Sequence, residues 1–221
     1  ADLGIVFART GTQEERAHGI TAFLVDLDQS GIRRTTFTDV GSGVVGRGSI
    51  FFDDVEVPAQ NMIGNEGMGF KQVMGGFDFS RALIGLQCIA PAQASLDETW
   101  SYSLEREAFG KPIAHHQMIM AYLADMATQI DAARLLVYKA AWTKEQHYHA
   151  GGPRHSKEAS MAKLFAGDTA MWVSERAIQV LGGYGYTKEF PVERFFRDAK
   201  ITQIYEGTQE VQRIVIARAL K

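Results

Sequence analysis

Short apolar runs separated by turn residues occupy the first part of the chain, and near Gly67 they give way to long stretches where apolar positions recur at steps of three and four. Gly4–Ala8, Ile20–Val25 and Ile50–Phe52, the last leading into Val55 and Val57, read as strands. The stretches between them, Thr10–Gly19 and Gly41–Gly48, are charged or glycine-rich and carry no helical period. Residues 1–60 therefore read as part of an antiparallel β domain. From Met68 to Arg106 the pattern is helical, as one long helix or as two, because Pro91 must kink or break whatever passes through it. Phe109-Gly110-Lys111-Pro112 reads as the close of that segment, with a left-handed cap and a following proline. A second helix fits His116–His147, where Ile119, Tyr122, Leu123, Met126, Ile130, Ala133 and Val137 form one stripe. Gly151-Gly152-Pro153 is a connection, a third helix fits Lys157–Leu181, and Gly182-Gly183-Tyr184-Gly185 stops it. Two shorter helices follow at Val192–Tyr205 and Gln209–Leu220. Long helices of roughly 25–40 residues joined by short loops mark an antiparallel bundle. The fold class is therefore α+β, with a partial antiparallel β domain over residues 1–60 and a four-helix-type bundle over residues 61–221.

Composition sharpens this division. Of the 22 glycines in 221 residues, 14 fall in residues 1–85 and 8 in the rest. With 46% hydrophobic and 22% charged residues the chain has the make-up of a globular protein. A formal charge of −3 gives no basic field for nucleic acid, and no run of about 18 apolar residues is present to span a bilayer. Cys88 is the single cysteine, so no internal disulfide framework exists, and an apolar helical setting suits it as a packed small hydrophobe. No export signal is visible, and a start at Ala1 directly before a strand suggests a fragment.

Several motifs invite chemistry. Asp26-Leu27-Asp28-Gln29-Ser30-Gly31 opens like a calcium loop, but Phe37 occupies the twelfth position, where a glutamate is needed, and a turn is the better reading. Gly41-Ser42-Gly43 lacks the lysine and the helix of a phosphate loop and reads as a strand connection. His115-His116 and the group His147, His149 and His155 lack the Glu-x-x-His pairs of a di-iron bundle, so no metal site is assigned. Glu206 falls at the break between the last two helices, beside a stripe of Ile201, Ile204 and Tyr205, with a second stripe of Val211, Ile214, Val215 and Leu220 beyond. Thr208 suits the N-cap, and Gln209 and Glu210 the first turn. On spacing alone Glu206 is either a solvated loop carboxylate or a partly desolvated base fit for proton abstraction. Arg106 beside Phe109 would suit a phosphate and a flat heterocycle, and equally suits a helix dipole. Gln179 before Gly182-Gly183 would let a ligand approach the backbone, and equally marks a plain helix stop.

Together these segments resemble the acyl-CoA dehydrogenase family over essentially the whole chain. The resemblance is carried by Gln179-Val180-Leu181-Gly182-Gly183-Tyr184-Gly185-Tyr186, Pro191-Val192-Glu193-Arg194, Arg197-Asp198-Ala199-Lys200 and Ile204-Tyr205-Glu206-Gly207-Thr208, in that order. Arg106 with Phe109–Pro112, and Phe77-Asp78-Phe79-Ser80-Arg81, add to it. The resemblance implies an FAD-dependent oxidoreductase that converts an acyl-CoA thioester to the 2-enoyl-CoA and passes electrons to an electron-transfer flavoprotein. It places the catalytic base at Glu206; the alternative base position of some members is Ser80 here, a poor base. It implies cofactor contacts from Arg106, Phe109, His116, Gln117, Gln179 and Gly183 across a subunit interface, and from Thr208 and Glu210 within the subunit. Ala108 stands where a hydroxyl residue is common. Asp78 and Arg81 match positions facing the CoA part of the substrate, and Tyr205 and Gly207 flank the thioester.

The resemblance further implies a homotetramer built as a dimer of dimers, and a cytoplasmic or mitochondrial-matrix setting without secretion. It also implies that an N-terminal helical domain and the first half of the β domain are missing from these residues, so the isolated chain is expected to hold flavin weakly or not at all and to lack turnover. Phe77–Gly85 is similar to members acting on alicyclic or short branched thioesters. An acyl-CoA oxidase and a catalytically silent helical assembly module are the competing readings.

Overall fold

The computed structural model describes residues 1–150 and 154–220. The connection expected at Gly151-Gly152-Pro153 lies outside them. The chain divides into two compact units, one of Ala1–Asp39 with Gly43–Phe77 and one of Val40–Ser42 with Asp78–Lys221.

In the first unit β1 (Leu3–Arg9) and β2 (Ile20–Asp26) form an antiparallel pair in which Ile5 faces Leu24. β3 (Ile32–Thr36) pairs with β4 (Gly48–Phe52), and the short β5 (Met62–Ile63) adds to β2. β3 escapes the sequence pattern because four of its five residues are exposed and two are arginines, so no apolar alternation marks it. Burial in this unit centres on Ala22, Val25 and Leu27, with Thr21 bonded to Thr10 through its hydroxyl at 2.8 Å and to the Gly67 N–H at 2.9 Å. The Asp26–Gly31 segment is a turn: Asp26 accepts the Asp28 N–H at 3.0 Å, and Asp28 pairs with Arg34 at 2.5 Å.

The helices are α1 (Gly69–Glu105), α2 (Gln117–Ala150), α3 (Ser156–Leu181), α4 (Val192–Thr202) and α5 (Gln209–Arg218). α1 is one helix that runs through Pro91. Cys88, Ile89 and Ala92 flank the proline and are nearly or fully buried, so tertiary packing of that face holds the helix where local preference would break it. In the second unit, the core joins these residues to Met126, Ile130 and Val137 of α2 and to an alanine row on α3. Ala159, Ala162, Ala166, Ala170 and Ala177 are each 0–1% exposed, and such small residues let helices approach closely. Gly85 serves the same packing: a Cβ there would lie 2.9 Å from Val137 Cγ2.

Two local expectations change. Phe109-Gly110 is not a helix cap; α1 has already ended, and the pair forms the turn of a two-residue hairpin between β6 (Glu107–Ala108) and β7 (Lys111–Pro112). Both central residues have positive φ, 51° and 80°, as a type I′ turn requires. Val211 and Ile214 of α5 and Leu220 just beyond it do not form a buried stripe; they are 41%, 50% and 71% exposed, and the buried residues of α5 are Gln209 and Gln212.

Candidate active site

α4 ends at Thr202 and α5 begins at Gln209, leaving a tight connection whose centre is Glu206-Gly207. Both residues have positive φ, +56° and +93°. The second is tolerable only for glycine here, since a Cβ would stand 2.7 Å from Gln212 Nε2. Glu206 pays a steric cost for the left-handed region, and such strain persists only where surroundings over-determine it. They do so through its carbonyl, which accepts from Arg81 Nε at 3.3 Å and Gln212 Nε2 at 3.2 Å. The next carbonyl, of Gly207, accepts from Lys163 Nζ at 2.8 Å and Gln212 Nε2 at 2.9 Å.

The Glu206 side chain turns towards α1, where the Ser80 hydroxyl donates to Oε2. The two positions weighed as alternative bases thus meet, with the serine as hydrogen-bond partner of the glutamate. One helical turn of α1 supplies the remaining groups. Arg81, 6% exposed, pairs with Asp78 at 3.4 Å, and Asp78 also accepts from the Ser156 hydroxyl. Tyr205 donates to Gln87 at 3.2 Å, and burial pushes its phenol up to about 12, so it stays neutral at physiological pH. Cys88, fully buried, has its thiol pushed up to about 11, chiefly by burial, which suits packing and not nucleophilic chemistry.

Thr208 occupies the N-cap of α5 without a capping bond from its side chain. Its hydroxyl and the backbone N–H of Glu210 instead hold the Glu210 carboxyl below the usual range, with the backbone bond the larger cause. Asp78, Arg81, Tyr205, Glu206 and Gly207 are therefore gathered by α1, α4 and α5, and Thr208 and Glu210 follow directly in sequence.

The other expected contacts lie at different helix ends. Arg106 and Gly183 line one cavity of about 500 Å³ with Tyr102, Ile113 and Tyr184. Phe109, His116, Gln117 and Gln179 line another of about 890 Å³. Phe109, lifted by its hairpin, is 96% exposed, and its ring meets that of His116 edge-on at 6.0 Å. His116 is oriented by a 3.0 Å bond between Nε2 and the Ala108 carbonyl. An added Cβ at Gly182 or Gly183 would meet nothing within 4 Å, so the backbone there is open to a ligand.

Sequence reasoning missed four polar residues that build the turn. Lys163 sits on α3 among the alanines and is fully buried. Gln209 bridges α5 to α3 through the Leu164 carbonyl at 2.8 Å and Asp168 at 3.0 Å, and Gln203 reaches Asp168 at 2.7 Å. Gln212 is fully buried. The available signal was Lys163 at the fourth position after Ala159, on an otherwise apolar helix face.

Among the described residues, no group of three or more His, Cys, Asp or Glu side chains is arranged to hold a metal ion, and no helix is long and apolar enough to cross a membrane.

Comparison with known proteins shows which family the chain belongs to. The chain is 46% identical over 219 residues to a cyclohexane-1-carbonyl-CoA dehydrogenase of Geobacter metallireducens, covering 97% of this chain and 55% of that protein. It is 45% identical over 221 residues to the short-chain specific acyl-CoA dehydrogenase of Megasphaera elsdenii, covering all of this chain and 56% of that one. The solved structure of butyryl-CoA dehydrogenase from Megasphaera elsdenii superimposes with a TM-score of 0.93 at 45% identity, over 100% of this chain and 56% of the other. The chain thus spans a little over half the length of these relatives. Residues 67–221 match the family model described as the acyl-CoA dehydrogenase C-terminal domain, and the chain belongs to the acyl-CoA dehydrogenase family.

Proposed function

We propose that this chain is the C-terminal part of an FAD-dependent acyl-CoA dehydrogenase in which Glu206 removes the proton alpha to the thioester carbonyl. The observation that carries the reading is the Glu206-Gly207 turn, where a glutamate in the left-handed region is fixed by donors to its own and the next carbonyl and bonded to Ser80. A general base is effective when held in one geometry within reach of the proton it takes. Arg81 and Asp78 stand beside it to receive the CoA portion of the substrate, and Tyr205 and Gly207 flank the reacting thioester.

The residues at the other helix ends fit a flavin dinucleotide. The Arg106 guanidinium, which lines one cavity with the open Gly182-Gly183 backbone, suits the pyrophosphate, while His116, Gln117 and Gln179 share another cavity with an exposed Phe109 ring suited to stacking. Thr208 and Glu210 serve the flavin of their own subunit, and the Arg106 group that of a neighbour in a homotetramer. Bound there, the flavin would supply the oxidising group for the β-carbon hydride, and an electron-transfer flavoprotein is the partner that would take up its electrons. One matched chain, 44% identical at a TM-score of 0.94, comes from a structure titled for the electron transferring flavoprotein of Acidaminococcus fermentans. A cytoplasmic or mitochondrial-matrix enzyme is the setting that fits.

The test is anaerobic mixing of the full-length protein containing this chain with a panel of acyl-CoA thioesters. Bleaching of the flavin absorbance with formation of the enoyl-CoA is expected. No bleaching with any straight, branched or alicyclic thioester would overturn the reading, and stoichiometric hydrogen peroxide in air would reassign the protein as an oxidase.

A further inference from the structure

Lys163 is the largest fully buried side chain among the described residues. Its buried neighbours on α3 are the small residues Ala159, Ser160, Ala162, Ala166 and Gly167, and α3 contacts both α4 and α5. An ammonium in that position loses its hydration, and burial pushes its pKa below the usual lysine range, opposed by Cys88, Asp168 and Glu206 and reinforced by Arg81. A methionine would fill the same space without that cost, so packing alone gives no reason for a charge here.

The reason lies in what Nζ touches. It donates to the Gly207 carbonyl at 2.8 Å and to Gln209 Oε1 at 3.1 Å. Gln209 is in turn anchored on α3 by Leu164 and Asp168. The lysine thus ties the start of α5 and the Glu206-Gly207 turn to a single helix of the core. Gln212 completes the hold by donating to both carbonyls of the turn. Relaxing these two left-handed residues changes the backbone dihedrals at Glu206 and Gly207, and with them the direction of the Glu206 side chain relative to Ser80. It would also carry the Glu206 carbonyl away from Arg81 and Gln212 and the Gly207 carbonyl away from Lys163 and Gln212, leaving buried donors without these acceptors.

We infer that Lys163 is a positioning residue for Glu206, acting with Gln212 through the Gly207 carbonyl to lock the turn in the one conformation that presents the carboxylate to substrate. The inference rests on the proposed role of Glu206, and it is testable apart from it.

The experiment uses the full-length protein containing this chain, as wild type, Lys163→Met and Gln212→Met. Amide hydrogen exchange over residues 204–208 is expected to quicken at least tenfold in both variants, with the central amides of α3 unchanged. In acyl-CoA dehydrogenation, kcat is expected to fall about 10–100-fold with KM within threefold, as misplacement of a catalytic group by about 1 Å would give. Unaltered exchange over 204–208, or kcat within threefold of wild type, overturns the inference; if Lys163→Met does not fold, Gln212→Met decides by the same two readouts. If wild type dehydrogenates nothing, the proposed function fails, and the exchange measurement still decides whether Lys163 holds the turn.

Discussion

The strand-rich unit and the helical unit use their apolar residues in opposite ways. In β1, Leu3, Ile5 and Phe7 share one face and are 58%, 62% and 41% exposed. In α3, the alanine row is 0–1% exposed. Large side chains on an open face contribute little to stability where they stand, whereas a methyl group in a close-packed helix seam leaves no room for change. The contrast teaches that side-chain size and hydrophobicity alone do not locate the structural core of this chain; regular spacing along a helix face, of small and large apolar residues alike, does.

The strongest way to break that contrast is to enlarge the seam. Ala166→Leu is expected to destabilise the protein by about 1–3 kcal/mol through overpacking, read as a lower urea midpoint. A midpoint equal to wild type would show that the seam has slack.

A smaller effect is expected at His155, at the start of α3. Burial lowers its pKa below 6.5, with His147 and Lys144 in the same sense and Asp78 opposing. Below pH 6.5 the unfolded chain therefore takes a proton that the folded one resists. Stability is lost as pH falls from about 6.5 towards the lowered value. His155→Asn should flatten the dependence of the thermal midpoint on pH in that window, and an unchanged slope would show that His155 does not set it.

The smallest effect belongs to the open face of β1. Ile5→Ser is expected to move the urea midpoint by no more than about 0.5 kcal/mol equivalent, as for surface substitutions generally. A loss as large as that of Ala166→Leu would erase the distinction between the two units.

The same contrast explains what was legible in the sequence. The stripe of Leu123, Met126, Ile130, Ala133 and Val137 read correctly as the inner face of α2, because regular apolar spacing reports burial directly. β3 leaves no trace in the pattern because Arg33, Arg34, Thr35 and Thr36 are exposed, and its side-chain contacts, such as Arg33 over the Phe51 ring, follow no apolar alternation. Pro91 leaves one helix or two open in the sequence, and the packing of Cys88, Ile89 and Ala92 around it, which local preference does not include, accompanies the single helix observed. At the site, the helix break marks Glu206 and puts Gln209 in the first turn of the last helix, but nothing in the local pattern assigns Lys163 or Gln212 to it. Lys163, Gln209 and Gln212 are each buried by virtue of a specific partner, and a partner more than forty residues away leaves no local trace in the case of Lys163 and Gln209.

The account turns on Glu206 as the base. In the full-length protein containing this chain, Glu206→Gln keeps the size and the backbone of the turn and removes the proton acceptor. Stopped-flow flavin reduction by the preferred acyl-CoA is expected to slow at least about a thousandfold, with flavin content and thioester binding retained. Reduction at the wild-type rate would contradict the account and remove Glu206 from the chemistry.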